Sequence, residues 1–305
     1  MADNIQGIID ATAAKTTAKL GVFYKNLNSG ATAGVNIGEA FPTASVYKVF
    51  TLAELLRQEG EGAFSFADRH ALSVADKSEG SGLLALMADG LAPTLLDYAK
   101  LMMVISDNTA ADFLFKFVGR DAILENVIRP LGLSRTKCDL SCRDLIAVCY
   151  GLEPGLAYGE FEALYNAAGR PCLRNAPAYT GALERNDETS PADVSKLLEL
   201  FYAGKWVDAD HSALALDIMK ACQTNARIPK YLPAGCSAAH KTGSMLRVAN
   251  DAGIVYTPRG AFILSCFYNG NVASREEYDA NPRGWFGDEL IAGLARDICA
   301  AYLAE

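Results

Sequence analysis

The sequence has no apolar run of the ~18 residues that a membrane-spanning helix requires, and no cluster of Lys and Arg that could follow a nucleic-acid backbone. Basic residues are in deficit, because 28 Lys and Arg stand against 36 Asp and Glu and give the 305-residue chain a formal net charge of −8. We therefore expect no membrane span and no nucleic-acid partner.

Histidine and paired cysteines are scarce as well. The three histidines are far apart, and the eight cysteines include no CxxC pair, so we predict neither a metal site nor another cofactor. His240 is interpreted as a strand residue. The chain begins without a basic segment followed by an apolar one, so the protein is either cytoplasmic or exported with its leader removed. We expect free thiols packed as small apolar side chains, although the even number leaves disulfides open.

Strand-like runs lie near both ends of the chain, and helical patterns lie between them. Short turn signals separate neighbouring runs, which indicates antiparallel pairing. The runs are at 20–27, 33–37, 237–242, 252–256 and 261–268. Amphipathic helices are predicted at 5–19 and 288–303. We predict one α+β domain, 1–305, with an antiparallel sheet of about five strands flanked by helices and an inserted all-helical subdomain. The sheet part would be 1–40 plus 213–305, and the helical part 41–212.

The stretch from Phe41 to Lys48 carries the clearest chemical signal. A turn at Pro42 leads into a helix-periodic segment, which places Ser45 near the first turn and Lys48 on the same face. A serine hydroxyl is a weak nucleophile unless a base takes its proton. A buried amine with a lowered pKa can be that base, and a helix N-terminus favours developing negative charge. We interpret Ser45 as an acylated nucleophile.

Three short motifs follow one another, each at the predicted end of a helix or strand. They are Ser45-Val46-Tyr47-Lys48, Ser106-Asp107-Asn108 and Lys241-Thr242-Gly243. Each motif alone is weak, but the ordered trio is typical of serine β-lactamases and penicillin-binding proteins. Segments 106–114 and 223–243 also resemble class A β-lactamases. The chain resembles the class A β-lactamase-like serine hydrolase superfamily over most of its length except 134–190, which implies the β-lactamase/transpeptidase-like fold.

The resemblance implies a catalytic role for each matching residue. Ser45 would attack the lactam carbonyl, and Lys48 would accept its proton directly or through water. Ser106, held by Lys241, would pass a proton to the leaving nitrogen. Asn108 would bind the amide of the substrate's side chain and steady Lys48.

Other residues would bind the substrate, which we expect to be a small β-lactam or peptide-like amide. We expect the protein to be a monomer. Lys241 and Thr242 would hold the substrate carboxylate. The backbone N–H groups of Ser45 and Ser244 would form the oxyanion hole, and Gly243 of the third motif is also expected among the substrate-binding residues. Arg227 aligns with a position at which many relatives carry a carboxylate-binding arginine.

One part of the family pattern is missing. Class A enzymes carry a Glu-x-x-Leu-Asn motif whose glutamate activates the deacylating water. Counting from Gly132, this glutamate would fall near Cys142, where the sequence has none. Five glutamates lie in the longer segment that follows, but the sequence does not place them in the site: Glu153, Glu160, Glu162, Glu184 and Glu188.

The sequence therefore predicts a complete acylation apparatus and a deacylation apparatus that is missing or relocated. The leading hypothesis is β-lactam or amide hydrolysis through an acyl-enzyme at Ser45. The alternatives are a D,D-peptidase or esterase, and a non-hydrolytic binder or sensor that stays acylated.

Overall fold

The computed structural model describes residues 2–150, 152–167, 184–272 and 285–304. The strands in these ranges are β1 (Lys19–Asn26), β2 (Thr32–Val35), β3 (Phe41–Pro42), β4 (Lys137–Cys138), β5 (Asp187–Thr189), β6 (Ser237–Met245), β7 (Val248–Thr257) and β8 (Gly260–Asn269). The α-helices are α1 (Ala2–Ala13), α2 (Lys48–Gly60), α3 (Leu95–Val104), α4 (Asn108–Val118), α5 (Arg120–Ile123), α6 (Cys142–Cys149), α7 (Tyr158–Ala167), α8 (Pro191–Tyr202), α9 (Ala209–Lys220) and α10 (Trp285–Ala304).

The main sheet has five strands in the order β2-β1-β8-β7-β6, and every pair in it is antiparallel. The predicted α+β fold is thereby confirmed. Strand β1 joins the two ends of the chain, since it pairs with β8 from Lys19 opposite Asn269 to Asn26 opposite Phe262. Strand β6 is left at the edge of the sheet. A second sheet, β3-β5-β4, was not predicted, because strands of two or three residues have too little pattern to recognise.

Helix boundaries agree with the sequence prediction where a capping residue fixes the first turn. The predicted start of α8 is confirmed, since the Ser190 hydroxyl accepts from the Asp193 N–H at 3.1 Å and Pro191 occupies the first turn. The prediction of one helix through residue 19 was wrong, because α1 ends at Ala13 and Lys19 already pairs in the sheet. Helix α10 exceeds its predicted range at both ends.

The core lies on both faces of the main sheet. On one face, α1 and α10 contribute Ile5, Ile291 and Ile298 to a buried cluster with Val22 and Leu264. On the other, a larger cluster joins the sheet to the helices between its two halves. Each fully buried side chain of this size contributes roughly 1.5–3 kcal/mol. The division into 1–40 plus 213–305 and 41–212 stays a prediction. No helix in the described ranges is both long and apolar enough to cross a membrane.

Candidate active site

A sharp turn presents Ser45 to a cavity. Residues Ala44–Tyr47 form a 3₁₀ turn that runs directly into α2, and Ala44 has a φ of 44°, which is uncommon for a residue with a side chain. Asn250 on β7 fixes the approach to this turn by donating to the Pro42 and Thr43 carbonyls at 2.8 and 3.0 Å. Ser45 is half-buried and lines a cavity of about 670 Å³.

Two lysines converge on one hydroxyl beside this cavity. Lys48 Nζ donates to the Ser106 carbonyl at 2.8 Å, to Ser106 Oγ at 3.2 Å and to Asn108 Oδ1 at 2.9 Å. Lys241 Nζ donates to the same Ser106 Oγ at 3.0 Å. Both lysine side chains are 0% exposed. The hydroxyl of Ser106 therefore bridges two buried amines that come from opposite sides of the site.

This crowding of positive charge affects the protonation of the pair. Burial, followed by the neighbouring charge of Lys48, lowers the pKa of Lys241 to about 7. A fraction of the molecules therefore carries a neutral amine at neutral pH, and such an amine can accept a proton. Burial instead raises the pKa of Tyr47 well above its usual value, so this phenol stays neutral and is a poor base.

Ser106 is held in an unfavourable backbone conformation. Its φ of 58° lies in the left-handed region. The next residue, Asp107, caps α4 by accepting from the Ala110 N–H at 2.9 Å, and its second oxygen accepts from the Leu83 and Leu84 N–H groups. Asp107 therefore has a structural role, and these three bonds hold Ser106 between the lysines.

Asn108 connects the lysine pair to the loop on the opposite side of the cavity. Its Oδ1 accepts from Lys48, and its Nδ2 donates to the Glu79 carbonyl at 2.7 Å. The hydroxyl of Ser81 on the same loop donates to the Ser106 carbonyl at 2.8 Å. Glu79 and Ser81 both line the cavity, and sequence reasoning missed both because nothing in 79–81 marks it as a partner of Asn108.

The edge strand β6 passes very close to the nucleophile turn at Gly243. A Cβ added at Gly243 would lie 2.4 Å from the Thr43 carbonyl oxygen and 3.1 Å from the Ser45 nitrogen. A residue without a side chain is therefore needed here, and it brings the backbone of Ser244 beside that of Ser45. Two backbone N–H groups from different elements can then face one oxygen atom, as an oxyanion hole requires.

A Gly243→Ala variant tests this approach. The added methyl group would push β6 away from the turn, so we expect the rate of serine acylation by a penicillin to fall at least about tenfold and Tm to fall as well, because overpacking costs about 1–3 kcal/mol. Gly293→Ala in α10 is the matched control, since nothing lies within 4 Å of its added Cβ and alanine favours a helix. Normal acylation in Gly243→Ala would contradict the close approach.

A model of the beta-lactamase enzyme family matches residues 1–302. The chain belongs to the beta-lactamase enzyme family. Among curated relatives, the β-lactamase of Streptomyces albus G is 29% identical over 288 residues, which cover 92% of this chain and 78% of the relative. The β-lactamase of Streptomyces cellulosae is 26% identical over 252 residues, 81% of this chain and 70% of the relative. This places the chain among serine β-lactamase-like hydrolases.

Solved structures agree with this membership. A β-lactamase from Sphaerobacter thermophilus DSM 20745 has a TM-score of 0.78 and 25% identity, and the match covers 100% of this chain and 99% of that one. PBP-A, solved as a leucine-to-glutamate mutant in an acyl-enzyme complex with penicillin G, has a TM-score of 0.77 and 23% identity, with 100% and 98% coverage. The second likeness supports the fold alone.

In this β-lactamase family member, Thr242 and Ser244 line the cavity but Arg227 does not. Arg227 is buried behind β6, where its guanidinium donates to Asp288 at 2.7 Å, to the Gly243 and Asn250 carbonyls at 2.9 and 2.6 Å, and to Ser244 Oγ at 2.6 Å. Direct contact between Arg227 and a substrate carboxylate stays a prediction. These contacts instead favour a role in positioning Ser244.

An apolar helix occupies the wall where the family's glutamate was expected. Asp112 anchors the start of α6 by accepting from the Cys142 and Arg143 N–H groups at 2.5 and 3.0 Å, and burial raises the pKa of this carboxyl. Four α6 side chains and the next residue then line the cavity: Cys142, Leu145, Ile146, Cys149 and Tyr150. Their spacing of three, four and seven residues is a helical signal in the sequence, but it does not say what the helix faces.

The candidate glutamates of this β-lactamase family member lie elsewhere. Glu153, Glu160 and Glu184 are exposed, and Glu188 is buried against Asn186. Glu162 lies in α7, and its side chain is outside the described residues. Among the described residues that line the cavity, Glu79 carries the only carboxylate. The same ranges contain no group of three or more His, Cys, Asp or Glu that could hold a metal ion.

Proposed function

We propose that this protein is a serine acyl-transfer enzyme in which Ser45 attacks the carbonyl of a β-lactam or related amide and forms an acyl-enzyme. The observation that carries the proposal is the bridge from Lys48 through Ser106 Oγ to Lys241, at 3.2 and 3.0 Å. It supplies a proton acceptor and a path to a leaving group within one buried network, three residues from Ser45. Family membership supports the same reaction class.

Acylation would proceed by two proton movements. As Ser45 Oγ forms a bond to the carbonyl carbon, its proton passes to Lys48, in the form of the lysine pair that has lost one proton because of the lowered pKa of Lys241. Collapse of the tetrahedral intermediate breaks the bond from carbon to nitrogen, and Ser106 Oγ gives its proton to that nitrogen. Lys48, which contacts Ser106 Oγ at 3.2 Å, then passes the proton it took from Ser45 on to Ser106 Oγ. No proton has to cross bulk water in this scheme.

Charge stabilisation would come from β6 and from the turn that carries Ser45. The N–H groups of Ser45 and Ser244 would bind the developing oxyanion, and loss of one such donor typically costs roughly 3 kcal/mol of transition-state stabilisation. Lys241 and Thr242 would bind the substrate carboxylate. The apolar wall of α6 would accept an apolar acyl side chain of the substrate.

Deacylation is the weaker half of the proposed reaction. Water attack on an ester needs a base beside the water, but the α6 wall presents thiols and aliphatic side chains. We therefore propose that the acyl-enzyme forms faster than it is hydrolysed. This slow step keeps two alternatives open, a D,D-peptidase or esterase that β-lactams acylate, and a binder that stays acylated.

Time-resolved intact-mass spectrometry with a penicillin, paired with a chromogenic cephalosporin, tests the proposal. We expect a mass gain of one opened lactam per chain, a stoichiometric colour burst and then slow turnover. Rapid turnover without an accumulated adduct would show efficient deacylation. The acyl-enzyme proposal would be rejected if no β-lactam added mass to Ser45 in folded protein.

A Glu79→Gln variant tests whether deacylation is unassisted. Glu79 is half-buried on a loop. Its backbone carbonyl, not its side-chain carboxylate, accepts the hydrogen bond from Asn108 Nδ2. We expect the deacylation rate to change by less than about threefold, far below the 10²–10⁴ of general base catalysis. Glu153→Gln, at an exposed site, is the matched control. A drop of about 100-fold in Glu79→Gln alone would instead identify Glu79 as the activator of the water.

The pH dependence of acylation should reflect the lysine pair. Because burial lowers the pKa of Lys241 to about 7, the neutral form of the pair gains population as pH rises through 7. We expect the acylation rate constant to rise about tenfold per pH unit well below pH 7 and to level off above pH 8. A stopped-flow series from pH 5.5 to 9 checks this. A rate that is flat over this range would exclude control by a lysine of pKa near 7.

A further inference from the structure

Two thiols meet where the last helix reaches the turn before the edge strand. Cys236 immediately precedes β6, and Cys299 lies in the second half of α10. The two residues are 63 positions apart in the chain, yet the Cys299 thiol donates a hydrogen bond to the Cys236 sulfur at 3.7 Å. Both are free cysteines in the structure, and neither lines the cavity beside Ser45. The pair therefore has no part in the acylation mechanism above.

The backbone on the Cys236 side is a tight turn at the surface. The Cys236 N–H donates to the Pro233 carbonyl at 3.1 Å, and Gly235 has a φ of 83°, which suits a residue without a side chain. Pro233 and Gly235 are exposed. A disulfide requires the two sulfurs to approach to about 2.05 Å. Rotation of the Cys236 side chain, with a small adjustment of this exposed turn, can supply the movement that a packed helix cannot.

The two sulfurs differ in what can reach them. Cys236 is half-buried, whereas Cys299 is 0% exposed and packs in the apolar cluster between α10 and the sheet. Burial, followed by the hydrogen bond and the charge of Cys236, raises the pKa of Cys299 to about 12. A dissolved reagent should therefore react with Cys236 first, and Cys299 can react only through Cys236.

We propose that Cys236 and Cys299 form a redox modification site, which a low-molecular-weight disulfide converts to an intramolecular disulfide bond. The contact between the two sulfurs carries the proposal. The exposed turn gives the reagent access to one sulfur, and the buried helix holds the other sulfur beside it.

This bond would extend an attachment that polar contacts begin at the other end of α10. Asp288 accepts from the Arg227 guanidinium at 2.7 Å, and Glu289 accepts from the Tyr231 hydroxyl at 3.0 Å. These contacts hold residues 227–231 against the start of the helix. Cys299 lies about 16 Å further along the helix axis, at 1.5 Å per residue. The disulfide would therefore fasten the far end of the segment that leads into β6.

The proposed reaction is a thiol–disulfide exchange in two steps. The thiolate of Cys236 attacks one sulfur of glutathione disulfide, a mixed disulfide forms, and the first glutathione leaves as a thiolate. The sulfur of Cys299 then attacks the Cys236 sulfur, gives up its proton and expels the second glutathione. Two protein thiols are thereby oxidised by two electrons, glutathione disulfide is reduced, and both thiol protons end on the released glutathione. The mixed disulfide also removes the charge of Cys236, which is one cause of the raised pKa of Cys299.

Thiol mapping by mass spectrometry tests the site. Reduced, folded protein is incubated with glutathione disulfide, then denatured, blocked with N-ethylmaleimide and digested. We expect a peptide in which Cys236 and Cys299 are joined, with neither residue blocked and neither carrying glutathione. A glutathione adduct that persists on Cys236, a bond from either residue to another cysteine, or full blocking of both would overturn the proposal.

Variants separate the two steps. Cys299→Ala should accumulate glutathione on Cys236, because the thiol that displaces it is absent, and failure to accumulate this adduct would contradict the proposed order. Cys236→Ala should leave Cys299 unmodified, since that thiol is buried. Cys266→Ala is the matched control, because Cys266 is buried in the same cluster and its loss should leave the bond intact. If a variant fails to fold, the peptide map of the wild-type protein still decides.

The melting temperature gives an independent readout. A bond between residues far apart in the chain restricts the unfolded state, so we expect Tm of the oxidised protein to lie about 5 °C above that of the reduced protein. Cys299→Ala should show no such rise after the same treatment. An equal or lower Tm in the oxidised wild type would show that the native structure does not accommodate the bond. Neither readout depends on acylation of Ser45.

Discussion

A Ser45→Ala variant is expected to gain no mass on incubation with a penicillin, and its lactam turnover should fall by a factor on the order of 10⁴–10⁶, the range seen when a catalytic nucleophile is removed. The turn that carries Ser45 is built by its neighbours, since Val46 and Tyr47 are buried in the core and Asn250 holds Pro42 and Thr43. Removal of one half-exposed hydroxyl should therefore leave the fold and Tm unchanged.

Thr224→Ala is the matched control for this variant. Thr224 also presents a side chain to the cavity, but it has no place in the proposed proton path, so this variant should be acylated at close to the wild-type rate. Retained acylation in Ser45→Ala, mapped by peptide mass spectrometry to another residue, would remove Ser45 as the nucleophile while leaving family membership intact.

Lys48→Ala should slow acylation by roughly 10²–10⁴, the contribution of a positioned general base. It should also destabilise the protein, because the Ser106 carbonyl and Asn108 Oδ1 each lose a buried hydrogen bond from the lysine, and a hydrogen bond to a charged group contributes about 1.5–3 kcal/mol. Stopped-flow acylation and a denaturant titration, measured on the same samples, separate the two effects. Lys116→Ala, an exposed lysine of α4, is the control for loss of a lysine.

The pH profile gives this variant a second readout. The charge of Lys48 is one cause of the lowered pKa of Lys241, so its removal should raise that pKa and move the remaining pH dependence upward. A merely unstable protein would lose rate without this shift. An acylation rate equal to wild type would remove Lys48 as the base.

Sequence reasoning predicted best what local patterns encode. The hairpins of the main sheet and the start of α8 at Ser190 were recognised because period, turn and capping chemistry are local. The motif residues were also brought together as predicted, with Lys48, Ser106, Asn108 and Lys241 in one hydrogen-bonded network. Their catalytic roles remain proposals.

The rest depends on which elements meet in three dimensions. The α6 wall reads as a helix from its spacing, yet only packing decides that Leu145 and Ile146 face the cavity. Arg227 forms an ion pair with Asp288 in the last helix, 61 residues further along the chain.

The pairing of β1 with β8 has a consequence for folding during synthesis. Lys19 on β1 pairs with Asn269 on β8. The ribosome must therefore synthesise about 250 further residues after Lys19 before β1 can pair with β8. The edge strand that carries Lys241 reaches β1 only through β7 and β8, so the hydrogen-bonded network of Lys48, Ser106 and Lys241 is completed near the end of synthesis. Contacts so distant in sequence slow folding. Until then the helical segments lack the sheet that covers their apolar faces, so the incomplete chain exposes apolar surface that can aggregate.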